Sequence, residues 1–378
     1  MNNKCSGCSA CAVICPTDSI EMELNRDGFI RPYIDQKKCI DCKLCEKICI
    51  FNQKDRGKSL DDANLYSAWA KNSEIRETTT SGGISYEISK WALSKGYYVC
   101  GVEFSYEKMR AQHFICENAE EIEKLKGSKY LQSDCQYAIK QLIKILMDNP
   151  KKKAIFFGTP CQVAGLRNVL IKKKLRERVI LIDIFCHGVP TFNLWKNYLN
   201  WLENKKNIKK EEIKKLIFRD KKYSWHTYYM HITCDNNKEY ICSRKKDPFL
   251  KLFSMGTLNQ KECFTCMYRN DSFADIRLGD FWGERYQESE KGYSMVLTLS
   301  EIGEKIIFNL EDIEKENILI EERLGQQHSD YALPNDYEKG FDMLNKTNNL
   351  QLIVNYYDPI LKRTIREWKQ TIKKIIKR

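Results

Sequence analysis

Eight cysteines within the first fifty residues constrain this chain more than any other feature of its sequence. Cys5, Cys8, Cys11 and Cys15, followed by Pro16, are repeated as Cys39, Cys42, Cys45 and Cys49, followed by Ile50. Both runs have the spacing C-x2-C-x2-C-x3-C. Three closely spaced thiolates can wrap three irons of one cubane while the fourth is carried away to a neighbouring one. The spacing therefore predicts two [4Fe-4S] clusters with crossed ligands, Cys5, Cys8, Cys11 and Cys49 on one and Cys39, Cys42, Cys45 and Cys15 on the other. A zinc ribbon needs two pairs of cysteines rather than two sets of four. Between the runs, Asp27-Gly28 flanked by Met22, Leu24, Phe29 and Ile30 predicts a hairpin that gives the clusters apolar cover. Ile50 stands where the first run has Pro16, so the second run lacks a rigid exit.

The 378 residues leave room for a substantial body beyond this module. Seventeen cysteines in a chain of this length, with no charged-then-apolar leader and no run of eighteen apolar residues, point to a reducing, cytoplasmic location rather than a disulfide scaffold. The formal charge of +12 ignores thiolates. Each oxidised [4Fe-4S] centre with four cysteinates carries roughly −2, so three would leave about +6. With no RRM, KH, zinc-finger or helix-turn-helix signature, the basic excess is not read as nucleic-acid binding.

The expected organisation is an α/β fold (α+β overall), a ferredoxin-like module at 1–52 followed by a body with a mixed sheet. A polar linker covers about 52–63, and the body divides into an N-terminal part, 64–152, a C-terminal part, 153–320, and a helical segment, 335–378. Strands are predicted at Leu65 to Ala70, Tyr97 to Phe104, Lys153 to Phe157 and Val179 to Phe185. Helices are predicted at Ile84 to Lys95, 135–148 and Cys161 to Lys173. Beyond 214 the shorter strands Leu216 to Arg219, Thr227 to Thr233, Asp275 to Leu278 and Tyr293 to Leu299 suggest a second lobe.

No G-x-G-x-x-G or Walker loop occurs, so an ordinary nucleotide fold has no support. The candidate phosphate cradle is Thr80-Ser81-Gly82-Gly83, where hydroxyls and open backbone meet a helix N-terminus; an ordinary N-cap is the alternative. In Gly158-Thr159-Pro160-Cys161-Gln162, Thr159 caps a helix, Pro160 suits its first position and Gln162 completes a capping box. That leaves Cys161 in the first turn, where the helix dipole favours a thiolate. Cys186 ends the next strand, and parallel strands would bring both cysteines to one sheet edge. With Cys263 and Cys266 they make a third four-cysteine set, open to three readings: a [4Fe-4S] cluster, structural zinc, or core cysteines without metal. Cys100, Cys116, Cys135, Cys234 and Cys242 lack ligand spacing and read as buried and inert.

Several segments in shared order resemble the coenzyme F420 hydrogenase/dehydrogenase beta-subunit family in its bacterial, ferredoxin-fused form. They are Thr80 to Gly83, Gly127-Ser128-Lys129-Tyr130, Gly158 to Gln162, Cys186-His187-Gly188-Val189-Pro190, Phe218-Arg219, Cys263-x-x-Cys266, Ala274-Asp275-Ile276 leading into Gly279-Asp280-Phe281-Trp282-Gly283, and Lys291-Gly292. The resemblance runs from Cys5 to about Leu310. It implies FAD beside a third [4Fe-4S] cluster. It also implies that Thr80, Ser81, Gly82, Gly83 and Lys129 contact the flavin phosphates, that Gly158, Thr159, Pro160, Gln162 and His187 line the isoalloxazine side, and that Asp280, Trp282 and Gly283 form pocket wall. His187 is the candidate proton donor, a structural histidine being its alternative; His226 and His231 read as strand-face residues.

The expected function is electron transfer between the clusters and FAD, then to or from an organic two-electron acceptor or donor, with a ferredoxin or other redox protein as partner. The resemblance allows a deazaflavin-type coenzyme or a polysaccharide-pathway substrate as acceptor, and the Lys-, Ile- and Asn-rich composition argues against coenzyme F420 itself. The rival is a non-catalytic electron-transfer subunit docking to a separate dehydrogenase or hydrogenase. A metal-stabilised scaffold without redox turnover is a third option. At the C-terminus, Leu361, Ile365, Trp368, Ile372 and Ile375 form one helical stripe among eight Lys or Arg residues and one acid, Glu367. It reads either as a helix packed on the body or as a peripheral membrane contact.

Overall fold

The computed structural model describes residues 4–323, 332–347 and 349–359. The C-terminal stripe from Leu361 to Ile375 lies outside the described residues. At the centre is an eight-stranded mixed sheet in the order Ile313–Asn317, Asn64–Ala70, Ser294–Thr298, Ile276–Asp280, Val179–Ile184, Ala154–Phe157, Tyr98–Ser105, Arg110–Cys116. The four strands Ile276–Asp280, Val179–Ile184, Ala154–Phe157 and Tyr98–Ser105 run parallel. Their neighbours towards both edges pair antiparallel.

Helices cover both faces, which is why the central strands read as nearly unbroken apolar runs. On one face Ile155, Ile180, Ile182 and Ile276 pack with Ile84, Ile88 and Ala92 of the helix Ile84–Ser94 and Ile306 and Ile307 of the helix Glu301–Asn309. On the other, Ala154, Phe156, Val179 and Leu181 pack with the helices Gln136–Asp148 and Pro160–Lys172. The predicted central elements match these within a residue or two.

The predicted second lobe needs correcting. Ile276–Asp280 and Ser294–Thr298 belong to the central sheet, where both faces of each are covered. Only Ile213–Asp220, Tyr229–Cys234 and Glu239–Ser243 form a separate, antiparallel three-stranded sheet. This small sheet shares a core with the helices Phe192–Lys206, Pro248–Met255, Tyr337–Lys346 and Leu350–Tyr357. The edge strands Arg110–Cys116 and Ile313–Asn317 went unread. The latter, Ile-Glu-Lys-Glu-Asn, carries the charges that keep an exposed edge from pairing further.

The N-terminal module lies against this body. Its predicted hairpin is present as Ile20–Leu24 paired with Ile30–Ile34. Ile20, Met22 and Ile30 cover Cys11, Cys15 and Cys45, whereas Phe29 turns away to pack on Phe341. Buried Gln136 accepts the Met22 N–H, and Gln132 accepts that of Ile30 (3.0 and 2.9 Å). Ile50 supplies an anchor where the first run has proline: it starts a short 3-10 turn, Ile50–Asn52, and is buried with Ala164 and Tyr268. The polar linker is pinned too, since Lys58–Ser59 pairs with Asp271–Ser272.

Candidate functional site

Beyond the carboxyl ends of the parallel strands lies a cavity of about 310 Å3. Open sheets of this kind leave ligand space at that edge. The strand ends Phe157, Ile184, Leu278 and Asp280 form its floor, and Thr80, Ser81, Ser128, Lys129, Gly158, Thr159, Gln162 and His187 close around it. Apolar contact comes from Val102, Tyr130, Leu131 and Phe185. A wider cleft of about 1330 Å3 adjoins it, and Thr79, Lys126, Gly127, Ser128, Lys129 and Arg219 line both.

The capping box predicted at Thr159 is present, with Pro160 at the helix start. The Thr159 N–H donates to Gln162 Oε1 (3.0 Å), and Gln162 Nε2 donates to the carbonyl and hydroxyl of Ser133 (both 3.1 Å). Pro160 is buried in the helix and does not reach the cavity. Nor do Gly82 and Gly83. Gly82 is buried where a Cβ would strike the Ala68 carbonyl and the Ser294 amide, so its lack of a side chain serves the packing of turn on strand. Gly83 sits behind, as the N-cap of the helix Ile84–Ser94. Trp282 also stands back, stacked on Trp225 at 4.7 Å, and Gly283 leads into the next turn. His231 lies on its strand bonded to Asp220 (2.6 Å), while His226 precedes the strand and meets the Ser289 carbonyl (3.0 Å).

Arg219, part of the Phe218-Arg219 pair to which spacing assigns no role, is central. Its side chain is 6% exposed, pairs with Asp280 and lies 5.1 Å from the Trp282 ring. Asp280 also accepts from the Ser81 hydroxyl. Burial opposes ionisation of Asp280, but Arg219, Ser81 and His187 together hold its carboxyl below the usual range. Nη2 of Arg219 is buried without a hydrogen-bond partner among the described residues. Burial lowers Lys129 to about 7, with Glu103 opposing. Among the described residues its Nζ donates to the carbonyls of Lys124 and Lys126 (3.0 and 2.8 Å). These orphaned and carbonyl-held cations beside an apolar-walled cavity suit an aromatic ligand carrying phosphates, so the residues present fit a flavin nucleotide.

On the far side of the Gly158 to Gln162 turn the body cysteines gather. The fields of Cys161 and Cys266 both act on Cys186, and those of Cys186, Cys161 and Cys266 act on Cys263. Cys161 does not sit as a thiolate favoured by the helix dipole: burial, reinforced by Cys266, pushes it up to about 11 despite the Thr159 hydroxyl. Cys8 comes up against the same helix, where Gly165 leaves room for its sulfur, and it feels Cys161. Within the module, Cys49 acts on both Cys5 and Cys11, and Cys45 acts on Cys11 as well. Cys39 and Cys42 are exposed, and Cys15 is bonded to Ser19 (3.1 Å). Among the described residues no three ligating side chains converge as they would on a single ion. A cubane holds its thiolates further apart, because each binds a different iron.

Sequence reasoning missed the group that holds the Cys263 to Cys266 loop. Asp183 and Arg277, both fully buried, form a two-pronged ion pair (2.7 Å each), with Ser272 donating to Asp183 (2.6 Å). Arg277 donates to the carbonyls of Arg269 and Asp271 (both 3.1 Å), and Arg269 to that of Cys263 (2.7 Å). The only signal was a charge at an inward position in each of two apolar strands.

A cysteine-rich module packed on a mixed α/β body with a pocket at its sheet edge defines an iron–sulfur electron-transfer protein of oxidoreductase type. Residues 4–52 match the 4Fe-4S dicluster domain. Residues 65–140 match the N-terminal region, and 151–322 the C-terminal region, of the coenzyme F420 hydrogenase/dehydrogenase beta subunit. The chain belongs to that beta-subunit family. It is 23% identical over 336 residues to the uncharacterized protein MJ1349 of Methanocaldococcus jannaschii, covering 80% of this chain and 85% of that protein. Its fold is similar to that of a chain in a structure of the F420-reducing [NiFe] hydrogenase complex of Methanosarcina barkeri, with a TM-score of 0.50, 17% identity, and 81% of this chain and 95% of that one covered. Among the described residues no helix is long and apolar enough to cross a membrane.

Proposed function

We propose that this subunit is an FAD- and iron–sulfur-dependent oxidoreductase, in which Cys161, Cys186, Cys263 and Cys266 hold a third [4Fe-4S] cluster and the cavity holds the flavin. One observation carries the reading: Gly158, Thr159 and Gln162 line the cavity while Cys161, in the same turn, faces the other body cysteines and Cys8. A single helix start thus separates the thiol set from the cavity. Bound flavin supplies the conversion between single-electron and hydride chemistry.

The chain's own residues do the rest. Hydroxyls of Thr80 and Ser128, 3.3 Å apart, and the Lys129 ammonium are placed to hold phosphate. Tyr130, Leu131, Phe157 and Phe185 exclude water from the reacting face. His187, at the cavity wall and close enough to Asp280 for their charges to interact, is the candidate proton donor. The exposed Cys39 and Cys42 mark the side on which a ferredoxin or other redox protein would dock. None of the seventeen cysteines is joined in a disulfide, which suits a reducing, cytoplasmic location.

The built cavity favours an enzyme with an organic two-electron acceptor or donor over a relay subunit. The test is anaerobic: full-length protein reconstituted with iron, sulfide and FAD is reduced by dithionite and offered organic acceptors without any other protein. Reoxidation supports the enzyme; reoxidation only through a second redox protein supports the relay.

A further inference from the structure

Among the described residues, three cations at the junction of cavity and cleft have no ion-pair partner. Lys129 is held by two carbonyls, Lys221 Nζ by the Ser81 carbonyl (2.5 Å), and Arg76 Nε by the Gly292 carbonyl (2.9 Å). Arg76 lies over the Tyr293 ring at 4.3 Å, and its Nη2, like that of Arg219, is buried with no hydrogen-bond partner. Lys221 and Arg76 are neighbours: Gly292 packs on the Ser81 carbonyl so closely that a Cβ would strike it, and Lys221 Nζ borders the same spot. Glu74, Glu77, Glu103 and Glu290 also line the cleft, and Glu103 acts on Lys129 and Glu77 on Lys221 through their fields, without forming an ion pair among the described residues. Holding half-buried cations on carbonyls alone leaves their charge uncompensated, which an anion in the cleft would correct.

Lys129 borders the cavity assigned to the flavin, whereas Arg76 and Lys221 line only the cleft. We infer that Arg76, Lys221 and the free Nη2 of Arg219 form a second anion site, which binds a phosphoryl group of the organic substrate that occupies the cleft. A dianion suits it better than a single carboxylate, because Asp280 already neutralises Arg219, Arg76 keeps its charge, and a bound anion would draw a proton onto Lys221, which burial and the neighbouring arginines lower to about 7. The substrate class is then a phosphorylated organic molecule whose uncharged, redox-active part reaches past Arg219 into the inner cavity. This inference rests on the flavin reading of that cavity.

The probe is inorganic pyrophosphate, titrated by calorimetry into full-length, iron- and FAD-reconstituted protein. Trp282, beneath Arg219, adds a fluorescence readout. Expected are one site per chain and binding about tenfold weaker or worse in Lys221→Gln and in Arg76→Gln, the loss from one charge-assisted hydrogen bond. FAD content should be unchanged, and Lys221→Arg should restore affinity. No binding by wild type, or wild-type affinity in both Gln variants, overturns the site. If pyrophosphate binds only flavin-free protein and the variants lose FAD, the cations serve the flavin's own phosphates and the substrate assignment is overturned. If wild type never retains FAD, the flavin reading fails, and titration of the flavin-free protein still decides whether the anion site exists.

Discussion

At the scale of single residues, burial decides the chemistry of the site. Lys129 sits near 7 because its surroundings disfavour charge, so binding a phosphate beside it draws in a proton whenever the free amine is neutral. FAD affinity is therefore expected to be greatest below pH 7 and to fall, by at most about tenfold per pH unit, as pH rises towards the ordinary lysine range. Calorimetric titrations from pH 6 to 9 check this, and Lys129→Met should flatten the profile while weakening binding. Cys161 and Cys266 lend themselves to a sharper test. Replacing either with Ser should remove about four of twelve irons and one cluster's EPR signal, with both N-terminal signals kept. Loss of no signal would return these thiols to packing roles.

At the scale of elements, the Thr78 to Gly83 turn and the Cys263 to Cys266 loop owe their positions to contacts distant in sequence. Gly82 packs on the strands Asn64–Ala70 and Ser294–Thr298, so Gly82→Val should destabilise even flavin-free protein, by about 1–3 kcal/mol from overpacking. Urea unfolding of apoprotein measures it; unchanged stability with lost FAD would mean that Gly82 meets the cofactor directly. Asp183→Asn removes one member of a fully buried ion pair, with an expected loss of about 3–5 kcal/mol. Because Arg277 ties down Arg269, and Arg269 the carbonyl of Cys263, the variant's body cluster should be lost on mild chelation before the N-terminal pair. EPR during timed chelator exposure follows the order, and simultaneous loss would divorce the ion pair from the loop.

At the scale of the whole molecule, anaerobic iron analysis of fully loaded protein should give about twelve irons per chain, and a reproducible eight would remove the body cluster. The cluster module is legible in sequence because its ligands recur at short, fixed spacing, so local geometry alone states the chemistry. The α/β alternation is legible for a similar reason: strands covered on both faces must be apolar throughout, and helices carry their own caps, as Thr159, Pro160 and Gln162 do. What sequence could not yield is which strands share a sheet. Ile276–Asp280 and Ser294–Thr298 look like members of a second lobe until pairing with Val179–Ile184 and Asn64–Ala70 draws them into the first. The same holds for the site. Thr80, Cys161, His187, Arg219 and Asp280 are each readable as motifs, but the pairing of Arg219 with Asp280, its orphaned Nη2 and the carbonyl-held Lys221 exist only after folding. Charge partnership is a property of distance in space, and spacing along the chain carries no record of it.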